Sequence, residues 1–117
     1  MVKKYEVVIV DLNPIRGAEK RGVRPCIILQ NNPVNKSKLQ TVTLAPITKH
    51  VRAFRSMLSI TSSKENGLDI DSAVDLSQIR TVDKSRIHKT IGHLEPKYYE
   101  DISEKISNFL DLRDEYL

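Results

Sequence analysis

Apolar and polar positions along the chain fall into short runs, and their period changes once, near residue 95. Glu6-Val7-Val8-Ile9-Val10-Asp11-Leu12 is short and β-branched, and Asn13-Pro14 closes it with a turn signal. A polar loop with two glycines follows, from Arg16-Gly17 to Gly22. Pro25-Cys26-Ile27-Ile28-Leu29-Gln30 has the pattern of a strand buried on both faces. Asn31 to Lys38, with Pro33 among asparagines and lysines, is predicted to be a loop. Leu39 to Ala45 is a third strand with a Gln40/Val42/Leu44 alternation, and Pro46 is expected to end it. After a basic loop, Lys49 to Arg55, Ser56-Met57-Leu58-Ser59-Ile60 forms a fourth strand, and Asn66-Gly67 marks a turn. Ser72 to Leu76, Ile79 to Val82 and Ile87 to Leu94 complete the strands.

Beyond residue 95 the period becomes helical. Tyr99, Ile102, Ile106, Phe109 and Leu110 share one face, and Pro96 fits an early helical position where its missing N–H is harmless. The prediction is a helix from about Pro96 to Leu112, its apolar stripe laid on the sheet. The expected class is mainly β with a C-terminal helix, a small barrel or curled sheet of antiparallel strands.

Composition narrows the field. A chain of 117 residues suits one domain, 1–117. Its longest apolar runs, about four residues, are too short for a membrane span or a signal-peptide core. One cysteine, Cys26, makes no intrachain disulfide and no cysteine-rich zinc site, and its apolar strand argues for a buried, inert thiol. His88 and His93 share a strand without cysteine or carboxylate clusters, so no metal site and no cofactor is assigned. The lone thiol and the absence of a targeting signal point to the cytoplasm.

Charge adds the first functional clue. The net charge is +4. Seven acids and three bases after residue 94 make that end −4, which leaves +8 on the preceding residues. Three segments, Arg16 to Arg24, Lys49 to Arg55 and Arg80 to Lys89, each net +3. Brought together they would attract a polyanion; apart, they are ordinary solvated surface.

Four segments then carry a resemblance. Val10-Asp11-Leu12-Asn13-Pro14, Gly17-Ala18-Glu19-Lys20-Arg21-Gly22-Val23-Arg24-Pro25, Ala45-Pro46-Ile47-Thr48 and Gln78-Ile79-Arg80-Thr81-Val82-Asp83-Lys84, in this order, resemble the MazF/PemK family of toxin endoribonucleases from type II toxin–antitoxin pairs. The resemblance implies an SH3-like, plasmid-maintenance-toxin barrel and a homodimer. It implies metal-independent, sequence-specific cleavage of single-stranded RNA (messenger RNA foremost) in a groove across the dimer interface. It also implies an antitoxin whose extended acidic tail fills that groove, in a complex that binds DNA. Products would end in 2′,3′-cyclic phosphate (or 3′-phosphate) and 5′-hydroxyl.

Such cleavage needs a group that takes the 2′-hydroxyl proton, donors that stabilise the extra charge on phosphorus, and a proton for the leaving 5′-oxygen. On its residues alone Arg24 fits either a phosphate contact or a loop anchor; the resemblance assigns it to the phosphate, where a guanidinium fork matches the oxygens. Thr48 follows as a hydroxyl donor, the alternative being a turn cap. Arginine stays protonated in proteins, so the base is sought elsewhere. Ala18, Asp75 and Ser77 stand where one branch of the family has a His and an Arg-x-Asp, so that branch's acid–base pair is absent. Glu19 and His50 are the candidate bases or substrate contacts. Arg16, Lys20, Arg21, Lys49, Arg52 and Arg55 would follow phosphates, Phe54 would stack on a base, and Gln78, supported by Arg80, would read a base edge. Two other functions compete: a gyrase-binding toxin of the same fold acting through its C-terminal residues, and an RNA-binding module that cuts nothing.

Overall fold

A computed structural model of the chain describes residues 1–13, 17 and 22–112. Strand β1 (Glu6–Asp11) lies between β2 (Val23–Ile28) and β7 (Ile87–His93), antiparallel to both. β2 in turn pairs with β3 (Thr41–Thr48). β4 (Met57–Ile60) and β5 (Ser72–Asp75) form a further antiparallel pair, which joins the C-terminal end of β3 through Ile47↔Val74 and Thr48↔Ala73. β6 (Arg80–Asp83) flanks the other end of β3, from Thr41 to Leu44. The order is β4-β5-β3-β2-β1-β7, with β6 beside β3. No ladder joins β4 to β7 among the described residues, so the expected barrel is an open antiparallel sheet.

Two departures from the predicted elements have local causes. Pro46 does not end β3, which runs on to Thr48. It stands where pairing changes: the ladder with β2 stops at Cys26↔Pro46, that with β6 stops at Leu44, and that with β5 starts at Ile47. A missing N–H is harmless at such a changeover. Inside the predicted 31–38 loop, Asn32–Asn35 make one helical turn, α1. Asn31 caps it by accepting from the Val34 N–H at 3.0 Å, and Pro33 sits in its first turn.

Alternation along the strands makes two cores. Val8, Val10, Leu12, Cys26, Ile28, Val42, Leu44 and Val82 pack on one face. Val7, Ile27, Ala45, Ile47, Val74 and Leu94 pack on the other, against Ile102 of the terminal helix. β2 contributes to both faces, as its unbroken apolar run predicts. The helical region starts with a 3₁₀ turn at Pro96–Tyr98 and continues as α2 (Tyr99–Leu110). It stops short of Leu112 because Asp111 takes a left-handed conformation, and the Leu112 N–H returns to Ser107 O at 2.9 Å. Only the first part of its apolar stripe is covered; Phe109 and Leu110 are half exposed.

The segment between β4 and β5 is held against β7 by backbone proximity. Asn66 is fully buried; its Oδ1 accepts from the Ser63 and Leu68 N–H groups, and its Nδ2 donates to Thr61 O. Gly67 adopts φ +73°, open to glycine at little cost. Opposite it, a Cβ on Gly92 would lie 2.6 Å from the Asn66 carbonyl carbon, where no side chain can give way. Gly92→Ala is therefore expected to destabilise the fold by about 1–3 kcal/mol, the usual cost of overpacking. A thermal midpoint equal to that of the wild type would refute this close approach.

Candidate functional site

The cleft arises where β2 and β3 stop pairing. Continued past Cys26↔Pro46, their register would set Arg24 opposite Thr48; instead β3 turns to β5 and the two strands part. The space between them is a cleft of about 340 Å³. Val23, Arg24 and Pro25 line it from β2, Ile47 and Thr48 from β3, and Lys49 and His50 from the loop after β3. Ile9 and Ile91 add apolar surface, and Gly67 to Ile70 with Ser72 form the opposite wall.

Each polar group here has a structural reason for its place. Arg24 is half-buried on β2, paired with Val10 of β1. Pro25 after it favours the extended backbone that Arg24 needs in the ladder. Thr48 is buried, and its Oγ1 accepts from the His50 N–H at 3.1 Å. That bond turns the chain at the end of β3 and leaves the hydroxyl its own proton to donate. Lys49 and His50 are exposed on the same rim. Arg24, Thr48, Lys49 and His50 thus line the cleft beside apolar Ile9, Ile47 and Ile91 and the acidic Asp69, and cationic and hydroxyl side chains are the types that suit a phosphodiester.

The other described candidates do not line the cleft. The 49–56 loop leads away: Arg52 donates its backbone N–H to Met57 Sδ, Phe54 is exposed, and Arg55 O accepts from Lys105 Nζ of α2 at 3.0 Å. Gln78 is half-buried at the end of a 3₁₀ turn before β6. Arg80 Nη1 donates to Leu12 O at 3.4 Å, so this guanidinium contacts the protein's own backbone. Asp75 accepts from the Ser77 N–H and hydroxyl and caps that same turn. Arg16, Glu19, Lys20, Arg21 and the C-terminal residues 113–117 lie outside the described residues. Among the described residues no three His, Cys, Asp or Glu side chains are grouped as metal ligands, and no helix is long and apolar enough to cross a membrane.

Sequence reading missed the far wall. Leu68, Asp69, Ile70 and Ser72 reach the cleft because the Asn66 network and the close approach of Gly67 to Ile91 and of Gly92 to Asn66 hold their segment against β7. The Asn66-Gly67 turn was the one local signal; what the turn packs against is not encoded nearby.

Comparison with known proteins adds independent findings. Residues 3–110 match the family described as PemK-like, MazF-like toxin of type II toxin-antitoxin system. The chain is 35% identical to Endoribonuclease MazF of Staphylococcus saprophyticus, over 96% of this chain and 93% of that protein. It is 33% identical to Endoribonuclease EndoA of Bacillus subtilis, over 97% and 98% of the two chains. The solved structure of Mycobacterium tuberculosis toxin MazF-mt6 superposes with a TM-score of 0.77 at 26% identity, covering 91% of this chain and 96% of that one.

Behind Arg24 on the same strand, Cys26 is fully buried. Burial pushes its thiol up to about 12, with the charges of Arg24 and Arg80 pulling weakly the other way. It is an inert part of the core beneath the cleft. The folded chain holds this proton more tightly than the unfolded one, so the thiol's contribution to stability is complete below pH 9 and is lost as the pH climbs toward 12. The thermal advantage of wild type over Cys26→Ala should therefore be constant below pH 9 and shrink above it. A gap unchanged at about pH 11 would refute the buried-thiol assignment.

Proposed function

The chain belongs to the PemK-like, MazF-like toxins of type II toxin–antitoxin systems and is an endoribonuclease, and from that premise we propose that single-stranded RNA is cut in the cleft between β2 and β3, with Arg24 and Thr48 as its catalytic residues. One observation carries this reading. Two residues far apart in sequence, from two strands, line one cleft beside Lys49.

In the proposed reaction the 2′-oxygen of the target nucleotide attacks the adjacent phosphorus, and the bond from phosphorus to the 5′-oxygen breaks. A 2′,3′-cyclic phosphate (or, after hydrolysis, a 3′-phosphate) and a 5′-hydroxyl result. The nucleophile belongs to the substrate, so no metal-bound water is required. Arg24 meets the charge that grows on the non-bridging oxygens, and the Thr48 hydroxyl donates to the same phosphate. Lys49 holds a neighbouring phosphate. His50 and Glu19 are the candidates to take the 2′-proton, and the leaving 5′-oxygen takes up a proton from that protonated base or from water; His50 is tied to Thr48 through its backbone N–H.

The partners in this reading are single-stranded RNA, with messenger RNA foremost, an antitoxin and a second copy of the chain. The antitoxin's extended acidic tail competes with RNA for Arg24. The excess of basic residues before residue 95 supports a polyanionic ligand, and exposed Phe109, Leu110 and Leu112 support a protein contact.

The test is incubation with a long unstructured RNA in excess EDTA, followed by mapping of the new 5′ ends. Discrete cuts bearing 5′-hydroxyls are expected. Arg24→Ala should lower the rate by about 10²–10³-fold, and Thr48→Val by about 10²-fold, the range for losing one transition-state donor. Thr48→Ser should retain most activity. Cleavage by Arg24→Ala at the wild-type rate, in a folded protein, would remove Arg24 from the mechanism.

A further inference from the structure

The third basic segment, Arg80 to Lys89, contains guanidinium groups turned onto the protein's own backbone. Arg86 Nη1 donates to Asp11 O at 3.2 Å and also to Asn13 O, while Arg80 Nη1 donates to the carbonyl between them, that of Leu12. These three carbonyls lie where β1 ends and the chain leaves for the 14–21 segment. We propose that Arg86 is a positioning residue for Arg24: by clamping the end of β1 it fixes the β2 backbone from which Arg24 enters the cleft. This rests on the reading of Arg24 given above.

The connection is short and continuous. The Leu12 N–H donates to Gly22 O at 3.1 Å, and Asn13 Oδ1 accepts from the Gly22 N–H at 3.2 Å. Asp11 then pairs with Val23, and Val10 with Arg24. Asp11 Oδ1 accepts from the Asn13 N–H at 3.0 Å, which closes the turn that Arg86 grips. Arg86 is itself held at its base. It ends a 3₁₀ turn, Lys84–Arg86, whose cap Asp83 accepts from the Ser85 N–H at 2.8 Å. The Lys84 N–H donates to Gln40 O at 2.9 Å, which ties that turn to the start of β3. Charge-assisted bonds to carbonyls are among the stronger ones a strand end can receive. So the Arg86 side chain joins the end of β1 to a 3₁₀ turn tied to the start of β3, and the bonds from Leu12 and Asn13 to Gly22 carry that anchor to the start of β2. Positioning matters because an arginine displaced by about 1 Å from a transition-state phosphate can lose about 10²-fold in rate.

The experiment compares wild type, Arg24→Ala, Arg86→Ala, Arg86→Lys and Asn13→Ala. It measures single-turnover rate, KM for RNA, the salt dependence of RNA binding and the thermal midpoint. Arg86→Ala is expected to lower the rate by about 10–10²-fold with KM and the salt slope unchanged. Arg86→Lys should be intermediate, because an ammonium reaches fewer of the carbonyls. Asn13→Ala, which cuts the link to Gly22, should lower the rate alone, and it keeps the inference testable if Arg86→Ala does not fold. Wild-type rates in Arg86→Ala, or in Asn13→Ala, would overturn the inference. So would a rise in KM with the salt slope reduced by about one, the signature of a phosphate contact. An active Arg24→Ala protein would instead refute the reading of Arg24 itself. An inactive Arg24→Ala beside fully active Arg86 and Asn13 variants would refute only the clamp.

Discussion

Along one edge β3 is paired with β6 as far as Leu44 and with β5 from Ile47, and on its other edge the ladder with β2 stops at Pro46. An ordinary residue at that changeover would bring an N–H donor needing an acceptor, since buried backbone groups are nearly always satisfied. Proline removes the donor, so the strand can release two neighbours and take up a third without an orphaned group. The cleft is the geometric result. Had β2 and β3 stayed paired, Arg24 and Thr48 would face each other across a closed ladder with no room for a substrate. Because they part, the two side chains border a space that the 67–72 segment walls from the opposite side.

The basic residues divide by what they face. Arg24 and Lys49 line the cleft, while Arg80 and Arg86 hold carbonyls at the end of β1. A guanidinium serves both purposes because its donors are fixed in a plane and always charged. Net charge alone does not separate the two roles; the segments from Lys49 and from Arg80 carry the same excess of bases.

This explains which parts of the structure were legible in the sequence. Strand positions, the double burial of β2 and the terminal helix are written in local period, and their ends match to within three residues. Arg24 and Thr48 were picked out through the Arg-Pro and Pro-x-Thr segments that carry the resemblance, and the fold sets both on one cleft. Pro46 was misread because a proline inside an apparent strand ordinarily ends it, and the exception depends on partners far away in the chain. Asn31 to Lys38 read as a loop because one capped helical turn is too short to show a period. Arg80 read as a support for Gln78 and Arg86 only as part of a basic segment, since the carbonyls they bind lie near residue 12, some seventy positions earlier. Asp69, Ile70 and Ser72 gave no sign at all, because their nearness to the cleft exists only once Gly67 packs against Ile91 and Gly92 against Asn66.

The first strand of this sheet waits for the last. Glu6 of β1 pairs with His93 of β7. Tyr5, held at φ +72°, receives the Leu94 N–H on its carbonyl and stacks on Tyr99 at 3.8 Å between ring centroids. Ile91, on the same late strand, is part of the cleft. Pairings that span so much chain form slowly, because a long loop must close before any contact rewards it. At ribosomal rates of about 5–20 residues per second, β1 and β2 emerge seconds before β7 is available. A nascent chain therefore carries Arg24 and Thr48 before the cleft they line is complete, so synthesis itself imposes a delay between translating the toxin and completing its fold.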